Sequence, residues 1–186
     1  MNLSGHNDAP LYAMLREKGK VRDQAFRELY ARHSPRVWLY CLKIMGEHAA
    51  AEDVFQGTFL RFLQSAETER EMTNVPGYLL RIARNLCLNT KAKMQPIARP
   101  IEEWELVTEE HEIESRELEQ LVATALDLLP EEQREAFVLQ AYNGLSYKEI
   151  AEVIDRPVTT VRNRVVRAKR RIREILAPYL VDYREG

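Results

Sequence analysis

Apolar residues recur along this chain at three- and four-residue spacings, and no stretch alternates apolar and polar residues as a strand would. From Asp23 to Met45 the repeat runs through Phe26, Leu29, Tyr30, Val37, Cys41 and Ile44, which predicts a long helix. Pro35 should bend or interrupt it, and Gly46 should end it. Ala49 to Leu63 reads as a second helix. Ser65 to Pro76 is polar, non-periodic and ends in proline, so it reads as a loop. Gly77 to Lys93 is a third amphipathic helix. These segments predict a compact helical domain over residues 10–95.

A break follows. Residues 96–113 open with two further prolines and turn acidic, which reads as a linker. From Glu102 to Glu119 there are nine glutamates and one arginine. A second helical domain is expected over residues 114–180. Its first helix carries Leu118, Leu121, Val122, Ala125 and Leu128. Leu129-Pro130-Glu131-Glu132 opens the next, with proline near the first helical position and acids in the first turn. That helix should close near Asn143-Gly144. Ser146-Tyr147-Lys148-Glu149 has the spacing of a capping box and starts a short helix. Asp155-Arg156-Pro157 turns the chain into a last helix, so the final two helices form a helix-turn-helix. The fold class is therefore all-α, with two small helical domains joined by a linker.

Charge sharpens the picture. The 186-residue chain has a formal net charge of −2, from 27 Lys+Arg and 29 Asp+Glu. Arg156 to Arg173 alone holds eight cations and no acid, so the remaining 19 Lys+Arg face 29 Asp+Glu, a balance of −10. On a helical wheel Val158, Val161, Val165, Ala168, Ile172 and Ile175 form one stripe, which should face the core. Thr159, Arg162, Asn163, Val166, Arg167, Arg170 and Arg173 gather opposite, with Arg164, Lys169 and Arg171 on the flanks. From Thr159 to Arg170 the helix advances about 16 Å at its usual rise, a length that suits a DNA major groove. Arginine can read guanine with two hydrogen bonds, asparagine can pair with adenine, and valine can touch a thymine methyl. Flanking cations suit phosphates. A merely solvated charged helix would mix its signs, with acids placed four residues from the bases. A second acid-free tract, Met72 to Ile101, carries Arg81, Arg84, Lys91, Lys93 and Arg99. Asn85 and Asn89 share a face of that helix. A polyanion touched at two separate places would account for both tracts.

The rest of the composition removes other classes. No apolar run approaches the roughly 20 residues of a membrane helix, and the polar N-terminus lacks the apolar core of a secretion signal, so a cytoplasmic protein is expected. Cys41 and Cys87 sit inside apolar segments and read as buried free thiols. The four histidines are scattered, and no metal site or cofactor is expected. Adjacent acids such as Glu52-Asp53 diverge by 100° on a helix and cannot converge on a substrate. There is no glycine-rich phosphate loop and no nucleophile–base motif, so no enzymatic activity and no small-molecule substrate are expected. A self-sufficient two-domain repressor or activator with a ligand-sensing first domain is the rival reading, but it usually needs a dimerisation surface, and no extra helix supplies one. A monomer is expected when the chain is free.

Two stretches then carry a resemblance. Ala51-Glu52-Asp53-Val54-Phe55-Gln56-Gly57-Thr58-Phe59-Leu60, followed by Tyr78-Leu79-Leu80-Arg81-Ile82-Ala83-Arg84-Asn85, resembles region 2 of bacterial RNA polymerase sigma factors. Leu129-Pro130-Glu131, Gly144-Leu145-Ser146-Tyr147-Lys148-Glu149-Ile150-Ala151 and Val161-Arg162-Asn163-Arg164 resemble region 4. The short chain, with only a linker between the two, looks like the extracytoplasmic-function group, and the resemblance covers roughly residues 22–178.

The resemblance implies roles. The second helix would dock on core RNA polymerase through Asp53, Gln56, Gly57, Leu60 and Leu63, while Ala51, Val54, Phe55, Thr58 and Phe62 face inward. The loop from Ser65 to Gly77 would capture a flipped base of the −10 element. Asn74, Tyr78, Arg81, Arg84, Asn85 and Asn89 would serve −10 recognition and melting. The −35 element of promoter DNA would meet Thr159, Thr160, Arg162, Asn163, Arg164, Val166, Arg167, Arg170 and Arg171. The acidic linker would thread toward the polymerase cleft. An anti-sigma factor, often membrane-tethered in this group, would be a further partner. Four positions depart from the family pattern. Gly57 stands for a usual acid, Tyr78 for a frequent tryptophan, Asn89 for a frequent aspartate and Thr159 for a common glycine. They bear on core affinity and promoter choice.

Overall fold

A computed structural model describes residues 5–68, 72–94 and 113–180, with side chains in the last segment described for residues 120–179. The acidic linker and part of the loop after the second predicted helix lie outside these residues. Among the described residues there are eight helices and no strand. They are α1 (Asp8–Met14), α2 (Lys20–Met45), α3 (His48–Ser65), α4 (Val75–Lys93), α5 (Ile113–Asp127), α6 (Glu131–Ala141), α7 (Tyr147–Ile154) and α8 (Val158–Leu180).

The first unit is α1 to α4. Apolar spacing buries Ala25, Leu29, Val37, Tyr40, Cys41 and Ile44 from α2, against Ala51, Val54, Phe59 and Phe62 from α3 and Leu79, Leu80, Ala83 and Cys87 from α4. Phe26, Tyr30, Phe55 and Phe59 pack as a tilted and edge-on aromatic cluster, the closest rings being Tyr30 and Phe59 at 4.7 Å. Tyr30 remains 39% exposed, because its ring caps this cluster from outside and does not enter the core. Pro35 bends no break into the secondary structure: α2 runs continuously through it. A proline costs the helix one backbone hydrogen bond, but buried side chains from Leu29 to Met45 hold α2 on both sides of the gap. Gly46 does end α2, in the left-handed conformation at φ 72°. Asn74 caps α4 by accepting from the Gly77 N–H at 3.0 Å. Both cysteines are buried and free, and the neighbouring Cys87 together with burial pushes the Cys41 thiol far up, which keeps it unreactive.

Helix α1 went unread in the sequence. It has seven residues, too few for periodicity to show, yet Leu11, Tyr12 and Leu15 are almost fully buried. Tertiary contacts hold it. The Tyr12 hydroxyl meets Ser65 Oγ at 3.1 Å, Arg16 Nε donates to the Ala66 carbonyl at 2.9 Å, and Asp8 receives Arg32 Nη1 at 3.0 Å and His33 Nε2 at 2.8 Å. Burial pulls the His33 pKa down despite Asp8 beside it.

The second unit is α5 to α8. Pro130 precedes α6, whose first turn carries Glu131 and Glu132. Ser146 and Glu149 form the full reciprocal capping box of α7, at 3.3 and 2.8 Å. Asp155 turns the chain between α7 and α8 at φ 53°. Val161, Val165 and Ala168 of α8 are fully buried, Ile172 and Ile175 half-buried, and Leu176 closes the stripe. Val158, expected on that stripe, is instead 45% exposed, in the first turn of α8. Leu128 is likewise 60% exposed at the end of α5, where Leu126 and Leu129 take the inward positions.

The two units do not stand apart. Their buried side chains form one continuous cluster that passes from Tyr40 and Leu80 to Ala136, Leu139 and Ile150, and α4 packs on α7 while α2 packs on α6. Gly57 of α3 faces α4, where an added Cβ would lie 3.4 Å from the tip of Leu86. Because that tip is the end of a flexible side chain, Gly57→Ala is predicted to stabilise the chain by about 0.5–1 kcal/mol through helix propensity. A higher urea midpoint with an unchanged slope would confirm it.

Candidate nucleic-acid interface

Helix α8 separates its two faces cleanly. With Val161, Val165 and Ala168 buried, the 3.6-residue repeat turns Thr159, Arg162, Asn163, Val166, Arg167, Arg170 and Arg173 to solvent. Val166 is 56% exposed in the middle of these cations. A single exposed apolar side chain is ordinary on a protein surface, so it is the company of Val166 that matters. Arg162, Asn163, Val166 and Arg167 form a patch of two kinds of planar donor around one methyl-bearing side chain, which can read base edges.

The flanks differ from one another. Thr160 is half-buried. Arg164 turns back onto the unit: its side chain is 13% exposed, and Nη2 meets Glu132 Oε2 at 2.6 Å. Arg171 lies 58% exposed, 3.5 Å from Glu174, and Arg170 lies 3.8 Å from the same acid. Such exposed pairs are weak and give way readily to a phosphate.

On α4 the predicted residues fall into two groups. Asn85 and Asn89 are exposed, with Leu88 43% exposed between them. Asn74 is exposed at the N-cap, and Tyr78 is half-buried with its ring 6.4 Å from Phe62. The cations instead face the second unit. Arg84 Nε donates to Glu135 Oε1 at 2.8 Å and Nη2 to Oε2 at 3.4 Å. Arg81 Nη2 donates to the Glu152 carbonyl at 2.7 Å, and Lys91 Nζ lies 2.7 Å from Glu131. The Tyr40 hydroxyl also donates to Glu135, at 3.2 Å. Burial, reinforced by that carboxylate, pushes the Tyr40 phenol up and keeps it protonated for the purpose.

On α3, Asp53, Gln56 and Leu60 face outward, Leu60 being 59% exposed. Gln56 donates to Glu52. Gly57 is half-buried. Leu63, expected beside Leu60 on the outer face, is half-buried and packs against the core cluster. The outward patch therefore centres on Asp53, Gln56 and Leu60.

A sigma-70 region 2 model matches residues 29–95, and a sigma-70 region 4 model matches residues 119–172. The chain is 33% identical over 142 residues to the ECF RNA polymerase sigma-E factor of Haemophilus influenzae, which spans 69% of this chain and 75% of that one. The chain belongs to the ECF sigma factor family. Two solved structures share the fold of this ECF sigma factor. The sigma factor RpoE of Bartonella quintana, seen with the anti-sigma factor NepR, is 22% identical over 82% of this chain and 96% of that one, at TM-score 0.65. CnrH, seen with the cytosolic domain of CnrY, is 23% identical over 92% of this chain and 97% of that one, at TM-score 0.71. Region 2 corresponds to the greater part of α2 with α3 and α4, and region 4 to the bulk of α5 to α8. Helix α1 lies before the matched stretch.

Glu135 and Tyr40 were invisible as site residues in the sequence. A glutamate on an otherwise amphipathic helix reads as solvent-facing, and nothing local shows that Glu135 is 9% exposed beside an arginine 51 positions away. The contrast along α8 makes a prediction for stability. Arg164→Ala should cost about 0.5–1 kcal/mol, from a lost ion pair and a lost packed stem. Arg167→Ala, on the open face, should stay within about 0.5 kcal/mol of the parent. Urea unfolding of the two variants distinguishes a packing arginine from a free one.

Proposed function

We propose that this ECF sigma factor binds core RNA polymerase and directs it to selected promoters, with α8 reading the −35 element and α4 serving the −10 element. The observation that carries the proposal is the exposed Arg162–Asn163–Val166–Arg167 face on a helix whose other side is buried. Arg162, Asn163, Val166 and Arg167 read bases; Thr159, Thr160, Arg170 and Arg171 position the helix on phosphates. Arg164 supports the reading face from behind, through Glu132. On α4, Asn85 and Asn89 meet bases of the displaced strand, while Asn74 and Tyr78 border the loop that receives a flipped base. Extruding that base costs a few kcal/mol of stacking, which Arg81, Arg84 and the surrounding groove offset.

The α3 patch of Asp53, Gln56 and Leu60 docks on the polymerase, with Gly57 beneath it and Leu63 at its inner edge. The sigma factor supplies no reacting group of its own: it works by placement, and the polymerase does the chemistry. Among the described residues no helix is long and apolar enough to cross a membrane and no cluster could hold a metal ion, and the protein acts in the cytoplasm with promoter DNA, core polymerase and an anti-sigma factor as its partners. The family relationship, and the sharing of this fold with a protein seen bound to an anti-sigma factor, support that last partner.

Run-off transcription with core polymerase, on the promoter upstream of the protein's own gene, tests the proposal. A transcript that depends on the added chain is expected, and its absence would refute the reading. On −35 duplex, Arg167→Ala should lose about 1–3 kcal/mol and relax sequence choice, whereas Arg171→Ala should weaken all sequences alike and lower the salt slope by about 1. The double variant Asp53→Ala and Gln56→Ala should weaken binding to core polymerase and leave −35 duplex binding unchanged. Equal loss of both would contradict separate surfaces.

A further inference from the structure

Where α2, the start of α4 and the α6–α7 turn meet, they line a partly open cavity of about 70 Å³. A water needs about 10–15 Å³ of such space, so there is room for about five waters, or for one molecule of about five heavy atoms. Val37 and Leu80 give the cavity an apolar lining, and its polar groups are sorted by charge. The first unit contributes Arg36 of α2 and Asn74, the cap of α4. Asn74 Oδ1 is committed to the Gly77 N–H, which leaves its Nδ2 as a donor. The start of the 19-residue α4 is also the positive end of a helix dipole. That wall offers donors and positive charge.

The wall from the second unit is the reverse. Asn143 lines the cavity and is 2% exposed. Its Nδ2 donates to the Arg36 carbonyl at 2.9 Å, and its Oδ1 meets no donor among the described residues. Glu149 lies beside it and accepts from the Ser146 N–H through Oε2 at 2.8 Å, which leaves Oε1 over. Hydrogen bonds from Ser146, with Arg36 nearby, hold the Glu149 carboxyl below its usual range, so it is ionised. No ion pair joins Arg36 to Glu149. An unmet acceptor in a nearly buried side chain is costly and calls for an N–H or O–H donor. The neighbouring carboxylate calls for a positive one. Across the cavity, a guanidinium beside a helix N-terminus calls for an anion. One small molecule answers all three when it carries an ammonium at one end and a carboxylate at the other. That is an α-amino acid zwitterion, and glycine has the heavy atoms the space admits.

We propose that this cavity binds a small α-amino acid, with glycine the best fit, its ammonium on Asn143 Oδ1 and Glu149 and its carboxylate on Arg36 and Asn74. Each unit supplies one charged end of the site, so the site exists only while the two units are docked. A bound amino acid favours that docking by mass action.

The test uses amide NMR spectra of the isotope-labelled full chain, without DNA or polymerase. Titration with glycine should move the side-chain amide signals of Asn143 and Asn74 along one saturable curve. Trimethylglycine carries the same two charges but is bulkier and has no N–H donor, so it should move neither, and it also controls for a general osmolyte effect. Sodium acetate and methylammonium chloride each supply one end alone and should bind at least about tenfold more weakly than glycine. Arg36→Met, at an exposed position, removes the cation, and Glu149→Gln removes the charge while keeping an acceptor for the Ser146 N–H. Each should weaken glycine at least about tenfold with an unchanged circular dichroism spectrum. If either variant unfolds, the ligand series on the parent decides. Shifts that never saturate, trimethylglycine matching glycine, a single-ended molecule binding as tightly as glycine, or undiminished affinity in either folded variant would each overturn the site.

Discussion

Positive charge without neighbouring acid is the constraint on which this molecule turns. A helix that mixes its charges can neutralise itself, but α4 and the first four turns of α8 contain no acid to do so. Each must find its negative charge elsewhere. For α4 the structure provides it from another part of the chain, through Glu135, Glu131 and a backbone carbonyl of α7. Among the described residues, the open face of α8 is met by Glu174, which lies beyond the reading residues. That unequal provision separates cations met by the chain itself from cations presented to solvent.

The packing explains how a chain of this size carries two such surfaces. Neither unit buries all its apolar side chains alone. Tyr40 and Leu80 of the first complete the same cluster as Leu139 and Ile150 of the second. Burying Glu135 in that seam is tolerable because both carboxylate oxygens are hydrogen-bonded and a guanidinium supplies the countercharge. Removing either partner would leave the other charge without compensation in a poorly hydrated place. The pair therefore specifies one docking of the two units more than it adds to stability. The residues given roles at promoter and polymerase lie on α3, α4 and α8, rigid elements whose inward faces are locked by Val54, Ala83 and Val165.

Much of this was written locally. The boundaries of α6, α7 and α8 follow from Pro130, the Ser146–Glu149 box and the Asp155 turn, each of which acts within a few residues of itself. The reading face of α8 was legible because a 3.6-residue repeat sorts valines from arginines wherever the helix is placed. The family was legible for the same reason, since the motifs of both regions are short and contiguous. The errors cluster where distant residues decide. Pro35 does not interrupt α2, because side chains on both sides of it are held by α3 and α4. Leu63 packs against the core cluster although the helical wheel places it outward, and α1 has too few turns to announce itself.

What the sequence determined by itself was the all-helical class, the order of the helices from α2 onward, and which face of each carries charge. These depend on spacing along one chain. Which cations remain available was decided only in three dimensions. Arg84 and Arg167 look alike in the sequence, each on a basic helix without a nearby acid. One is neutralised by Glu135 from 51 positions away and the other faces water. An electrostatic partner acts through space within a few ångströms, and no pattern along the chain records which acid folding will bring that close.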